Sequence, residues 1–324
     1  MTIEILMVIG FCLAAYSIVG NDVPQTLGTF ISSNSHRPWW VLWIYISTIL
    51  VVVLSYGWYA SGVGDASYGR LETIPFPEGG ITWLYIIPPI LLLVLTKYGI
   101  PVSTTFLVLT IFSPASLGSM MVKSMMGYAV AFVVAIIVYR FVMRKMAEYF
   151  ARTRHEPASP VWMALQWIST GFLWSQWLIQ DLANIFVYVP RQVPFSFLVF
   201  AITVFVVLIG VILYQRGGAI QNIVDTKTGV TDIRSATIID FIYATILFIF
   251  KEWSNIPMST TWVFLGLLAG REFAMSMFLN GVNKYRTSRN VSKDAMKLMF
   301  GLAMSVILAT TLPVFYEFVT QLAR

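Results

Sequence analysis

One cysteine, two histidines and very few charges leave this chain with little of the usual equipment of an active site. Cys12 is alone and lies in an apolar segment, which excludes both a disulfide framework and a cysteine metal site. His36 and His155 sit in basic loops, where a solvated or headgroup role outweighs catalysis. Charged residues make up 11% of the 324 positions against 58% hydrophobic, so no stretch can form a water-soluble domain of useful size. The net charge of +6 does not point to nucleic acid, because the basic residues fall between apolar segments. The positive-inside rule accounts for them better. Segment 3–20 carries Glu4 rather than a basic start and has no small-residue cleavage site. It reads as a retained helix, not a signal peptide.

What the chain does have is a sentence written twice. Gly20-Asn21-Asp22-Val23-Pro24-Gln25 is followed by Pro101-Val102-Ser103-Thr104-Thr105. Gln180-Asp181-Leu182-Ala183-Asn184 is followed, at a closely similar distance, by Pro257-Met258-Ser259-Thr260-Thr261. Each copy sets one carboxylate inside an apolar segment, then a Pro-x-Ser-Thr-Thr between two short apolar runs. An internally duplicated membrane chain with paired polar breaks is the sequence mark of a secondary transporter.

The expected fold is an all-α polytopic membrane protein made of two inverted-topology repeats, each with a broken helix and a re-entrant helical hairpin. The first repeat covers 1–143, a basic linker 144–160, and the second repeat 161–324. Full spans are expected near 3–32, 39–60, 121–143, 161–189, 195–214 and 298–322, with breaks at Asn21-Asp22 and Gln180-Asp181. The runs 81–96 and 102–112, and 238–250 and 258–270, are too short to cross about 30 Å of hydrocarbon. Each pair therefore reads as a hairpin entering and leaving on one side, with 97–101 or 251–257 at its tip. Three crossings per half invert the second half against the first. Lys and Arg gather at 140–154, 216–234 and 271–297, opposite the acidic loop of Asp65, Glu72 and Glu78. That places the linker in the cytoplasm and both termini outside, in a multi-pass protein of the cell (inner) membrane.

The repeated residues suggest their chemistry. After each tip proline a helix should start, capped near Ser103 or Ser259. Inversion points the two helix starts at each other in mid-membrane. Their free N–H groups and the hydroxyls of Ser103, Thr104, Thr105, Ser259, Thr260 and Thr261 form an anion cradle. Asp22 and Asp181, each costly in an apolar segment, supply the cation side, as sodium sites or as proton carriers. Asn21 and Gln180 join them as cation-coupling residues, and the amides of Gln25 and Asn184 lie beside both. Unwinding at Asp22 is expected to free backbone carbonyls there.

These motifs are similar to those of the inorganic phosphate transporter (PiT) family, whose duplicated Gly-x-Asn-Asp-x-Ala-Asn signature resembles 20–25 and 180–184. That family's second duplicated element matches 101–105 and 257–261. The resemblance spans the whole chain and implies inverted repeats, cation-coupled uptake of inorganic phosphate, or of sulfate in some bacterial members, and often a homodimer. It implies no cofactor beyond the transported Na+ or H+. The chain departs from the pattern at Pro24, Gln25, Gln180, Phe106 and Trp262, and keeps the aspartates and hydroxyls. Two other classes fit less well. An intramembrane hydrolase lacks a histidine in the membrane to activate its serine, and a passive anion channel has no use for buried carboxylates.

Overall fold

Apolar side chains cover the outside of this protein as well as its inside. Val52, Tyr59, Val133, Ile137, Ile168 and Val207 are all more than half exposed or close to it, while Asp22, Asp181 and Asp240 are buried. That distribution suits a bilayer as solvent, with polar groups kept inside the bundle. The computed structural model describes residues 2–61, 64–98, 100, 102–143, 146, 149–150, 152–153, 159–218, 221, 232–278 and 284–322. Among these residues there is no strand, and five helices are long and apolar enough to cross a membrane.

Helix α1 (Thr2–Ser33) and α2 (Trp39–Ala60) open the chain. A 3-10 turn (Trp83–Ile86) leads into α3 (Ile87–Lys97), whose eleven residues reach about 16 Å. A π-helical stretch (Thr105–Leu109) then runs into α4 (Thr110–Phe112), and α5 (Leu117–Val138) follows. Next come α6 (Pro160–Asp181), the short α7 (Ala183–Phe186) and α8 (Phe195–Tyr214). The last three are α9 (Ile233–Trp253), α10 (Thr260–Phe278) and α11 (Lys284–Leu322). Helix α9 packs along α6 and α10 along α5, so the second hairpin is clamped between helices of both halves.

Three sequence expectations change. Helix α1 runs unbroken through Asn21-Asp22 with Pro24 inside it. Proline lacks an N–H, so only the Gly20 carbonyl loses its helical donor, and the chain does not unwind. In the second copy the interruption is confined to Leu182, which itself keeps helical geometry. The arms of the second hairpin are full-length helices of 21 and 19 residues. The apolar run 238–250 understates α9, because Asp232 caps a polar first turn by accepting from the Arg234 N–H at 2.9 Å. Most of the linker 144–160, and Gly99 and Pro101 of the first tip, lie outside the described residues.

Candidate functional site

The two Pro-x-Ser-Thr-Thr segments meet, and they meet symmetrically. Thr105 Oγ1 donates to the Met258 carbonyl at 3.2 Å, and Thr261 Oγ1 reaches the Val102 carbonyl at 3.5 Å. Matching positions of the two motifs thus exchange the same contact, as a local two-fold relation requires. Ser103 Oγ accepts from the Phe106 N–H and Ser259 Oγ from the Trp262 N–H, both at 3.3 Å. Each serine therefore caps its helix start through its lone pair and keeps its own proton free to donate. Phe106 and Trp262 touch edge to face, ring centroids 5.5 Å apart, and close one side of the meeting point.

The carboxylates lie against this junction. Asp22 Oδ2 accepts from Thr104 at 2.9 Å, and Oδ1 accepts from Asn21 at 2.6 Å. Asn21 also donates to the Val102 carbonyl at 3.0 Å and accepts from Thr96 at 3.3 Å, tying α1 to both sides of the first tip. Asn184 does the equivalent work across the halves. It donates to Asp181 at 2.8 Å and lies 3.2 and 3.3 Å from the hydroxyls of Thr104 and Thr105. Gln25 donates to the Asn21 carbonyl at 2.8 Å and Gln180 to the Leu247 carbonyl at 3.0 Å. Asp22 and Asp181 are close enough to feel each other's charge. All twelve residues singled out in the sequence are at most 5% exposed. Hydrogen bonds join Asn21, Asp22, Thr104, Thr105, Asn184 and Asp181 across the halves, while Gln25 and Gln180 bond to main-chain carbonyls of α1 and α9.

Four acceptor oxygens among the twelve have no hydrogen-bond partner: Gln25 Oε1, Gln180 Oε1, Asp181 Oδ2 and Asn184 Oδ1. A buried orphan acceptor costs about 1–3 kcal/mol, so each calls for a cationic or donor ligand. The donor set is all oxygen and carries carboxylate charge, which suits a hard monovalent cation or a proton. Among the described residues, no group of three or more His, Cys, Asp or Glu side chains is gathered to hold a metal.

Supporting residues fix the geometry. Lys123 donates to the carbonyls of Ser254 and Ile256 at 2.6 and 2.7 Å and staples the second tip to α5. The Ser259 N–H donates to Ser124 at 2.9 Å, and the Tyr243 hydroxyl to the Thr260 carbonyl at 3.0 Å. Lys251 pairs with Glu252 at 2.6 Å, so that lysine is engaged by its neighbour. Sequence reasoning missed Asp240, 1% exposed, which accepts from Thr29 at 2.5 Å and Thr170 at 2.6 Å. A lone carboxylate in the run 238–250 was the available signal, but it has no counterpart in the first copy.

Fold and site together define a polytopic all-α membrane protein that buries two hydroxyl-rich helix starts and two carboxylates at a single junction. The fold is similar to that of a solved structure described as the sodium-dependent phosphate transporter, with a TM-score of 0.60 and 15% sequence identity. The likeness covers 98% of this chain and 100% of that one. No protein-family profile matches the sequence, and no curated protein matches it.

Proposed function

We propose that this chain is a cation-coupled symporter of inorganic phosphate. The observation that carries the reading is the reciprocal contact of the two Ser-Thr-Thr segments beside two buried aspartates, with acceptor oxygens of Asp181 and Asn184 left without a partner. The solved structure that this fold resembles is described as a sodium-dependent phosphate transporter, which adds to the case for phosphate. Ser103, Thr104, Thr105, Ser259, Thr260 and Thr261 offer hydroxyl and N–H donors to the anion, with Gln25 and Asn184 at its edge. Asp22, Asp181, Asn21 and Gln180 hold the coupling cation, Na+ or H+, which offsets the anion's charge and makes loading cooperative. Inverted repeats rocking about this junction would expose it to each side in turn. The protein works without a cofactor and is not an enzyme in this reading. It resides in the cell membrane with both termini outside, and a homodimer fits the family resemblance.

Purified protein in liposomes tests the function. Labelled phosphate should accumulate under an imposed sodium or proton gradient and stop when that gradient is dissipated. Sulfate uptake in its place would move the substrate to another tetrahedral oxyanion. Uptake that ignores every cation gradient would make the protein a channel and end the symport reading.

Two further expectations follow from the geometry. Ser103→Ala and Ser259→Ala should each weaken phosphate binding by roughly 1 kcal/mol, about fivefold, with less effect on cation binding. Isothermal titration of both ligands checks this, and unchanged phosphate affinity in both variants would leave the cradle without support. Orientation is tested in a Cys12→Ser background. Ser67 is a poor probe because it is buried and donates to Asp65 at 2.6 Å. Thr73 and Ser119 are exposed, as is Ser35 of the opposite loop. Cysteines at 73 and 119 should react with an impermeant thiol reagent in intact cells, and one at 35 should not. Labelling of 73 and 119 from opposite sides would turn the first hairpin into a crossing.

A further inference from the structure

The loop between α2 and the first hairpin is folded, and it drives one arginine inward. Asp65 organises its start: Oδ1 accepts from the Ser67 N–H at 2.7 Å and Oδ2 from the Gly69 N–H at 2.7 Å. Tyr68 and Gly69 take left-handed backbone angles, φ 59° and 72°, which turn the chain just before Arg70. Tyr68 anchors to the Val53 carbonyl at 2.6 Å, and Arg191 grips the Ile74 carbonyl with two bonds of 2.9 and 2.7 Å. Between these anchors Arg70 is 2% exposed, and neither Nη1 nor Nη2 has a hydrogen-bond partner.

That is an expensive arrangement. A buried charge is tolerated when it is paired and hydrogen-bonded, and this guanidinium donates from neither terminal nitrogen. Burial lowers its pKa to about 10, with Asp181 and Glu252 opposing the shift, so it is charged at neutral pH. The charges that act on it are Asp181, Glu252 and Lys123. Lys123 already spends its protons on the second tip, and Glu252 is paired with Lys251. Asp181 keeps one oxygen without a partner, yet the two groups are not bonded to each other. One carboxyl oxygen and one two-pronged cation, both without a hydrogen-bond partner, thus lie within electrostatic reach of each other.

We propose that Arg70 is a substrate-binding residue: its two free Nη groups take an oxyanion in a bidentate pair on the side of the cradle next to the loop 61–80. The planar fork matches two oxygens of a tetrahedral anion, which a hydroxyl cradle alone does not provide. Without substrates, Arg70 and Asp181 partly neutralise each other at a distance. With them, the anion satisfies the arginine while the cation satisfies the aspartate, so each ligand frees from its internal countercharge the group that the other binds, and loading is cooperative. The role of Arg70 rests on the symport reading and deepens it.

The test compares wild type, Arg70→Gln and Arg70→Lys, purified in detergent and titrated with inorganic phosphate and with sulfate at a saturating concentration of the coupling cation. Arg70→Gln should lose about tenfold or more in affinity for the transported anion, the scale of one charge-assisted hydrogen bond. Arg70→Lys, which keeps the charge but not the fork, should fall between the two. In liposomes KM should rise by the same factor with the maximal rate largely kept. If Arg70→Gln does not yield monodisperse protein, Arg70→Lys decides: weaker anion binding at wild-type thermal stability supports the role. A folded Arg70→Gln, or failing that a folded Arg70→Lys, with anion affinity within twofold of wild type overturns it. If Ser103→Ala and Ser259→Ala still weaken binding in that case, the cradle stands and only Arg70 is lost. Wild-type protein that binds neither anion would remove the symport reading itself.

Discussion

Asp22→Asn and Asp181→Asn are each expected to abolish gradient-driven uptake while leaving a folded, extractable protein. The exchange removes one charge and almost no volume. The Thr104 hydroxyl that donates to Asp22 can turn to accept from an asparagine amide, and Asn21 keeps a carbonyl to donate to. At Asp181 the Asn184 bond survives on Oδ1, and the oxygen replaced by an amide has no partner to lose. What disappears is the carboxylate that each half brings to the junction among the described residues. A hydrogen bond or ligand contact to a charged group is worth about 1.5–3 kcal/mol, so cation-dependent transport should drop about a hundredfold. Phosphate uptake into liposomes under a cation gradient, beside a size-exclusion profile of each variant, separates lost coupling from lost folding. A neutral variant that transports at the wild-type rate and still responds to the cation would show that its aspartate is not a coupling site.

The meeting of the two motifs was legible in the sequence because each is written twice. Asp22, Asp181 and both Ser-Thr-Thr motifs converge on one junction, and duplication picked them out from the many serines and threonines that merely cap helices. The same filter hid whatever occurs once. Asp240 and Arg70 are both buried charges, but neither has a partner position in the other half, and Arg70 sits in a stretch that reads as an exposed loop. Its burial depends on tertiary anchors from Val53 and Arg191, which no local pattern reports. Helix continuity at Asp22 was misjudged for a different reason. Gly20 and Pro24 are each breakers by propensity, yet the bundle around α1 compensates for a single lost hydrogen bond. The apolar run 238–250 falls short of α9 because the helix starts five residues earlier, at Ile233, in a turn that carries Arg234 and Ser235.

Gly266 and Gly270 were also invisible to motif reasoning, and their replacement should have the largest effect on stability. They stand one turn apart on α10 and face α5, where backbone meets backbone. A Cβ at Gly266 would lie 2.4 Å from the Tyr128 carbonyl oxygen, and one at Gly270 would lie 2.3 Å from that of Phe132. Ala131 and Ala135 of α5 are buried, and Gly127 meets Val263 of α10, so small residues line this seam from both sides. In a bilayer apolar burial gives little drive to hold helices together, and such close approach supplies the packing in its place. A methyl group cannot be accommodated by a rotamer change when the obstacle is main chain; the helices must part. Gly270→Ala and Gly266→Ala should each cost about 1–3 kcal/mol or more, read as a clear fall in melting temperature in detergent. Gly118→Ala is the control, since its Cβ would meet nothing within 4 Å, and it should melt with or above wild type. Separation of the helices relieves both clashes at once, so the double variant should lose less than the two single losses added together. Because α10 begins at Thr260, a displaced seam also shifts one wall of the cradle, and phosphate affinity should fall along with the melting temperature. If Gly270→Ala melts and binds phosphate as wild type does, the close backbone contact between α5 and α10 is not what holds the second Ser-Thr-Thr in place.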